Sequence, residues 1–321
     1  MQNKLLNVRV AAIQLLTPRV REYLLTSEDG TALPRWQAGS HIEVHTQTAD
    51  GTPMVRHYSL VGAPTLENDD LNSYRIAVQR EDRQRGSQRI HDSFEVGTQL
   101  KISHPINNFP LDRHAQRTLL IAGGIGITPV FSMLRTLVRQ GREFELLYAG
   151  RSAQEMAYRE QVQALAGDKV HLHTSAEPAD LKQVLARQPP QTVVYVCGPQ
   201  AMVQATQAAA TELNWDPKRV RHELFGAGSK GDEVAFDVEL RQSGRVVRVG
   251  RESSILDALH GAGIHPLFDC RRGECGLCVT EVLGSDGSLV HCDRFLSEQE
   301  RGAKLCICVS RTTGSRLVLN A

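Results

Sequence analysis

The run Cys270-Arg-Arg-Gly-Glu-Cys275-Gly-Leu-Cys278 constrains this chain more than any other stretch of it. Its C-x4-C-x2-C spacing, with a further cysteine on a short apolar stretch near the C-terminus, is the ligand pattern of a plant-type [2Fe-2S] cluster. The pattern has a mechanical basis. Two bridged irons need four thiolates, and one loop wrapped round them can present three. Gly273 and Gly276 let that loop turn and let backbone N–H groups approach the sulfurs. Zinc usually wants paired C-x2-C knuckles, and only one is present. A disulfide pair is the other competing reading, and the spacing favours the cluster.

At 321 residues the chain exceeds one ordinary core and is expected to form two or three domains. Its 37 basic and 36 acidic residues nearly cancel, so nothing points to nucleic acid or an anionic membrane. No apolar run approaches membrane-spanning length, and Met1-Gln-Asn-Lys4 lacks the core of a signal peptide. Committing four of seven cysteines to a cluster argues for a reducing compartment. A soluble, cytoplasmic protein is expected.

Residues 1–112 read as strands: Lys4 to Ile13, His41 to His45 and Tyr74 to Gln79 alternate apolar and polar residues. Closure into an antiparallel β-barrel is expected, because it removes exposed edges. From Arg117 the pattern becomes strand, glycine turn, helix, strand. Thr118 to Ala122 is a buried strand, and Gly123-Gly-Ile-Gly126 is the turn. Thr128 reads as N-cap, Pro129 as N1, and Gly141 as the stop of a helix from Val130 to Gln140. Phe144 to Tyr148 and Thr192 to Val196 repeat the strand type, so residues 113–226 are expected to form a parallel α/β domain. A glycine-rich linker over 227–234 leads to a third domain, 235–321. There Phe236 to Leu240, Val246 to Val249, Cys278 to Leu283, Cys306 to Val309 and Arg316 to Leu319 read as strands, with a helix from Ser254 to His260.

Four shorter motifs carry chemistry. Arg56-His-Tyr58-Ser59 offers a guanidinium, an aromatic face and a hydroxyl that could hold a planar ring, although Tyr58 could simply pack. Arg80, followed by Arg85-Gly86-Ser87, forms a basic turn of the kind a phosphate needs, against the reading of a solvated charge run. Gly123 to Thr128 stands where a strand hands over to a helix, the context for pyrophosphate binding. It departs from G-x-G-x-x-G, since Pro129 takes the last glycine position. Ala149-Gly150-Arg151-Ser152 also stands where an acidic residue is expected. Cys197-Gly198-Pro199 ends a buried strand, so Cys197 either faces the same crevice as Gly124 or is a structural thiol. Cys292 and Cys306 read as bystanders, and His171 and His173 as satisfied surface residues. Strand alternation puts Cys306 and Cys308 on one face and cannot select the fourth ligand.

Taken in order, the motifs make the whole chain resemble the phthalate dioxygenase reductase family. The runs concerned are Arg56-x-Tyr58-Ser59, Ala122 to Pro129, Cys197-Gly-Pro199, Glu223-x-Phe225-Gly226, the cysteine loop and Cys308-Val-Ser-Arg311. The resemblance implies a flavin barrel, a nicotinamide-binding domain and a C-terminal β-grasp ferredoxin domain. It implies FMN, NADH and a [2Fe-2S] cluster held by Cys270, Cys275, Cys278 and Cys308. Arg56, Tyr58 and Ser59 would embrace the isoalloxazine, with Ser59 near N5, and Arg80, Gly86 and Ser87 would meet the FMN phosphate. Gly124, Thr128, Cys197 and Gly198 would surround the dinucleotide, and Phe225 would lie at the flavin ring. Ser59 and Cys197 are the residues expected at the reacting atoms. Arg151 could tolerate a 2′-phosphate, so NADPH is the less expected donor. The implied role is a monomeric reductase that delivers electrons to a terminal Rieske oxygenase or demethylase. A standalone reductase of quinones or metals is the alternative. Cys292 departs from the family, which often has arginine there.

Overall fold

The computed structural model describes every residue except 1–4, 48–50, 52, 63–71, 81–85, 226–233, 252, 272, 274 and 294. The chain divides into two units, one of Met1–Val44 and His57–Phe225, the other of His45–Arg56 and Gly226–Ala321. The expected linker falls almost wholly outside the described residues.

Residues 6–102, most of them in the larger unit, form an antiparallel sheet. Its strands are β1 (Leu6–Thr17), β2 (Val20–Ser27), β3 (His41–Gln47), β4 (Pro53–Ser59), β5 (Ser73–Gln79) and, after helix α1 (Gly86–Ser93), β6 (Gln99–Ile102). They run in the order β4-β3-β6-β1-β2-β5. Val8 and Val10 of β1 are buried while Asn7 and Arg9 face outward, the two-residue period of a half-buried strand. Register irregularities after Val10 and Leu15 bend β1. A bridge from Leu60, just past β4, to Ile76 of β5 joins the two ends of the order, so the expected barrel forms. One expectation fails here. The stretch from Gly86 is a helix rather than a turn, because Ile90 and Phe94, four residues apart, both bury into the barrel core.

The second half is a parallel sheet with helices: β7 (Arg117–Gly123), α2 (Ile127–Arg139), β8 (Glu143–Gly150), α3 (Arg159–Ala166), β9 (Val170–Thr174), α4 (Leu181–Ala186), β10 (Thr192–Cys197), α5 (Gln200–Glu212) and β11 (Val220–Glu223). The order is β11-β10-β7-β8-β9, and every neighbouring pair is parallel. The chain therefore builds outward from β7 on one side and returns to β10 on the other, making a topological switch point between them. Helix α2 starts earlier than its sequence suggests. Gly126 is its N-cap, and Thr128 lies inside the first turn, its hydroxyl donating to the Ile125 carbonyl at 3.0 Å. Its end follows the sequence. Gly141 has φ +60°, its N–H reaches the Val138 carbonyl, and Arg142 N–H reaches Leu137, a Schellman cap.

Barrel and α/β half share a core, in which Val61, Ala77 and Phe109 pack with Ile127, Phe131 and Cys197. A polar contact crosses the same seam. Tyr158 donates its hydroxyl to Glu22 Oε2 at 2.8 Å, and Arg75 reaches Glu22 Oε1 at 2.6 Å. Burial pushes the Tyr158 hydroxyl far up, with the neighbouring Glu22 charge adding to it, so it remains a donor.

The smaller unit contains β12 (Phe236–Leu240), β13 (Val246–Val249), α6 (Ile255–Gly261), β14 (Val279–Ser285), β15 (Leu289–Val290), β16 (Lys304–Cys306), β17 (Arg311–Thr312) and β18 (Arg316–Leu319). Its five-stranded sheet runs β13-β12-β18-β14-β16, with the first and last strands, β12 and β18, parallel at its heart. Ile255, Leu256 and Leu259 bury α6 against it, as in a β-grasp fold. The strand expected from Cys306 to Val309 stops at Cys306. The amides of Val309 and Ser310 both turn back to the Cys306 carbonyl. Cys308 therefore sits in a turn, and the same-face argument does not apply.

Candidate functional site

In the larger unit the two glycine turns expected to hold a dinucleotide meet at the switch point. Parallel pairing sets Cys197 of β10 level with Ala122 of β7. A Cβ on Gly126 would lie 2.2 Å from the Cys197 carbonyl oxygen, and one on Gly198 2.9 Å from Gly123 Cα. The turns pack backbone on backbone, which only glycine permits. Gly124 has φ +54° and open space around it, leaving the crevice side of the turn free. Ligands of open α/β sheets bind beyond the carboxyl ends of the strands at such a point.

Cys197 is fully buried among apolar neighbours. Parallel pairing also puts Glu223, at the end of β11, level with Cys197, and Glu223 is 3 % exposed. A buried carboxylate at the rim of this crevice was not singled out by sequence reasoning, although it opens the Glu223-x-Phe225 motif. Phe225 is half-exposed at the end of the same segment.

On the barrel, β4 delivers Tyr58, packed against the barrel core, and Ser59, nearly buried. Arg56 folds back to the Val55 carbonyl at 3.0 Å. Val61, two residues beyond Ser59, lies in the same core as Cys197, and β5 runs against the Gly124–Gly126 turn. The end of β4 is thus brought to the dinucleotide turn. The basic stretch is elsewhere on the barrel. Gly86 and Ser87 open α1, whose N-terminal N–H groups suit a phosphate. Arg80 pairs with Asp92 at 3.4 Å, its carbonyl held by Arg19. Glu81 and Arg85 lie outside the described residues. His91 is buried with Nε2 at 2.8 Å from the Val78 carbonyl. Burial, aided by the charges of Arg21 and Arg80, holds its pKa below the usual value.

In the smaller unit the cysteine loop closes on the turn that carries Cys308. Cys278 Sγ lies 3.1 Å from Cys308 Sγ, and Cys275 N–H points to Cys270 Sγ at 3.4 Å. Contact with Cys306 and Cys308 draws the Cys278 thiol down, and the same contact together with burial pushes theirs up. The Gly273 N–H also reaches Cys308, while Cys306 is wholly buried at its strand end. Gly273 and Gly276 have φ +72° and +77°. A Cβ on the first would meet Val309 and the Asp293 backbone, and on the second the Phe295 ring at 2.2 Å. The loop and the turn bring Cys278 and Cys308 together, with backbone N–H groups aimed at Cys270 and Cys308, an arrangement that suits a [2Fe-2S] cluster.

The closing Ser310-Arg311 supports this site from beneath. Ser310 donates to Asp293 Oδ1 at 3.2 Å, and the buried Arg311 binds the carbonyls of Ser253, Val234 and Gly250. His171 and His173 are satisfied by Glu145 and the Glu177 carbonyl, as the sequence suggested. No helix among the described residues is long and apolar enough to cross a membrane.

A dinucleotide turn at a switch point and a three-cysteine loop closing on a further cysteine, on one chain, define an electron-transfer oxidoreductase. Domain models agree: "Oxidoreductase NAD-binding domain" matches residues 120–208 and "2Fe-2S iron-sulfur cluster binding domain" residues 238–313. The chain belongs to the phthalate dioxygenase reductase family. It is 31 % identical to a solved phthalate dioxygenase reductase, described as a modular structure for electron transfer from pyridine nucleotides to [2Fe-2S]. The match has a TM-score of 0.87 and covers 100 % of this chain and 99 % of that one. It is 40 % identical to the heme-dependent oxidative N-demethylase beta subunit of Ectopseudomonas mendocina (strain ymp), over 98 % of this chain and 99 % of that protein. It is 37 % identical to the tetrachlorobenzoquinone reductase of Sphingobium chlorophenolicum, over 98 % of each.

Proposed function

We propose that this chain is the NADH-oxidising reductase of an oxygenase or demethylase system, holding FMN, and that it hands single electrons to a separate terminal component, of Rieske type in the first instance. The observation that carries the proposal is the coexistence of the Gly123–Gly126 turn and the cysteine loop. NADH yields two electrons as hydride and a [2Fe-2S] centre takes one, so a flavin that can do both has to stand between them.

The residues divide this work. Gly123–Gly126 and Gly198 leave the pyrophosphate room at the α2 N-terminus, whose partial positive charge favours it. Thr128 and the neighbouring Cys197 and Glu223 shape the nicotinamide end. Ser59 and Tyr58, with Arg56, orient the flavin ring, while Arg80 and the Gly86-Ser87 helix start neutralise its phosphate. Phe225 closes the ring's far face. Cys270, Cys275, Cys278 and Cys308 hold the cluster. The division of labour runs over 1–112, 113–226 and 235–321, joined by 227–234.

Flavin and metal analysis tests the proposal: FMN and iron are expected, and zinc or an absence of flavin would end it. The quinone-reductase relative favours a second reading, in which the chain acts directly on a small oxidant. NADH-driven cytochrome c reduction separates the two. It is lost on removing residues 233–321 if electrons leave through the cluster, and retained if they leave from the flavin.

A further inference from the structure

The seam between the barrel and the α/β half carries a residue that departs from two local rules. Tyr158, the N-cap of α3, has φ +58°, a left-handed conformation that a bulky residue rarely adopts. N-caps are ordinarily short polar residues whose side chains close the first turn, and the Tyr158 side chain makes no such bond. Its ring stacks instead on Phe131 of α2, centroids 5.0 Å apart and planes at 11°, and its hydroxyl crosses to Glu22 of β2 at 2.8 Å. Strained backbone of this kind persists where the surroundings over-determine it, and it clusters where geometry serves function.

Two series of contacts run from this point, one into each half. On the barrel side Glu22 is held by Arg75 of β5 at 2.6 Å, and the Arg75 carbonyl accepts from the Val61 N–H at 3.0 Å. Val61 stands two residues beyond Ser59, the end of β4. On the α/β side the carbonyl of the adjacent Ala157 lies 3.0 Å from the Tyr148 hydroxyl, whose one proton it shares with the Gly124 carbonyl at 3.4 Å. Burial raises both hydroxyls above the usual phenol range, so both stay donors. Polar contacts therefore join the glycine turn to the end of β4 through Tyr158, beside the apolar core that fills the seam. An apolar core is non-directional and resists separation more than sliding, whereas directed hydrogen bonds fix register.

We infer that Tyr158 is a positioning residue for flavin reduction, setting the dinucleotide turn in register with the strand end that carries Ser59. This rests on the function proposed above, in which NADH gives up a hydride with both its electrons and the flavin takes it. A displacement of ~1 Å arising far from the reacting atoms can cost ~100-fold in such a step.

Stopped-flow reduction of the full-length, cofactor-loaded protein by NADH tests this. Tyr158→Phe keeps the ring on Phe131 and removes the hydroxyl. Its limiting rate of flavin reduction is expected to fall ~10-fold or more, with half-saturating NADH within about twofold of wild type. Glu22→Ala is expected to fall alike. Glu22→Gln, whose amide can still pair with the hydroxyl, is expected to recover most of the rate, although it too deprives Arg75 of the Glu22 charge. Leu185→Ala, in the core on the other face of the sheet, controls for lowered stability, and its limiting rate is expected to be unchanged. Amide exchange, read without turnover, is expected to quicken at Val61 and over 123–126 in Tyr158→Phe and not in Leu185→Ala. Equal limiting rates in Tyr158→Phe and wild type overturn the inference, as does a loss that Leu185→Ala shares or one confined to half-saturation. Should Tyr158→Phe fail to hold its flavin, equal rates in Glu22→Ala and Glu22→Gln overturn it. No flavin reduction by NADH in the wild type would overturn the proposed function itself, and the inference with it.

Discussion

Arg271 and Asp257 form a buried ion pair, Nη1 to Oδ1 at 2.6 Å, with both side chains 8 % exposed. Asp257 lies in the first turn of α6, where its amide is capped by Ser254. Arg271 follows Cys270, has φ +50°, and stacks its guanidinium 4.3 Å over Phe268. The pair therefore ties the start of the cysteine loop to helix α6. Removing one partner of a buried pair leaves an uncompensated charge, a cost of ~3–5 kcal/mol. Asp257→Asn is expected to lower the denaturant midpoint at which cluster absorbance is lost, with flavin release unchanged. Equal midpoints in variant and wild type would show that the loop does not depend on the pair.

The two neighbouring cysteines are separable by spectroscopy. Cys308, on its turn and approached by the Gly273 N–H, is the expected ligand, while Cys306 ends a strand. Cys308→Ser is expected to abolish the normal EPR signal of the reduced cluster while NADH still bleaches the flavin. Cys306→Ser is expected to keep the signal, and the reverse pattern would reassign the ligand.

Gly126→Ala introduces a methyl group 2.2 Å from the Cys197 carbonyl oxygen, with backbone rather than a flexible side chain in its way. Overpacking of this kind costs ~1–3 kcal/mol. A rise in KM for NADH together with a lower Tm is expected, and an unchanged KM would mean that the two turns part easily.

Cys197 is buried, yet it stands at the carboxyl edge between Ala122 and Glu223. Cys197→Ala is expected to slow pre-steady-state flavin reduction ~10-fold with both cofactors retained, since small displacements of reacting atoms are costly. An unaltered rate would leave Cys197 as packing alone.

His91 makes the barrel sensitive to acid. Its folded pKa is depressed, mainly by burial, so above the ordinary value near 6.5 both folded and unfolded states are neutral and stability is flat. As pH falls below that value the unfolded state takes up the proton first, and stability declines until the folded pKa is passed. His91→Gln, which keeps a donor for the Val78 carbonyl, is expected to flatten this decline. Denaturant titrations between pH 7 and 5 measure it.

The sequence by itself determined what depends on local pattern. Alternation in Val8–Val10, the glycine stop at Gly141 and the C-x4-C-x2-C loop each encode a short-range constraint that any fold must satisfy, and each was legible. The helix start at Ile127 was misread, because Thr128 has a cap residue's chemistry while Gly126 has the cap's position. Tertiary structure decided the rest. The helix at Gly86 exists because the barrel core takes Ile90 and Phe94. The strand ends at Cys306 because two amides turn back to its carbonyl. Glu223 gained its place beside Cys197 only when β11 paired with β10, and Tyr158 met Glu22 only when the α/β half packed against the barrel. Such juxtapositions join residues far apart along the chain, and periodicity carries no information about which distant segments a shared core will bring together.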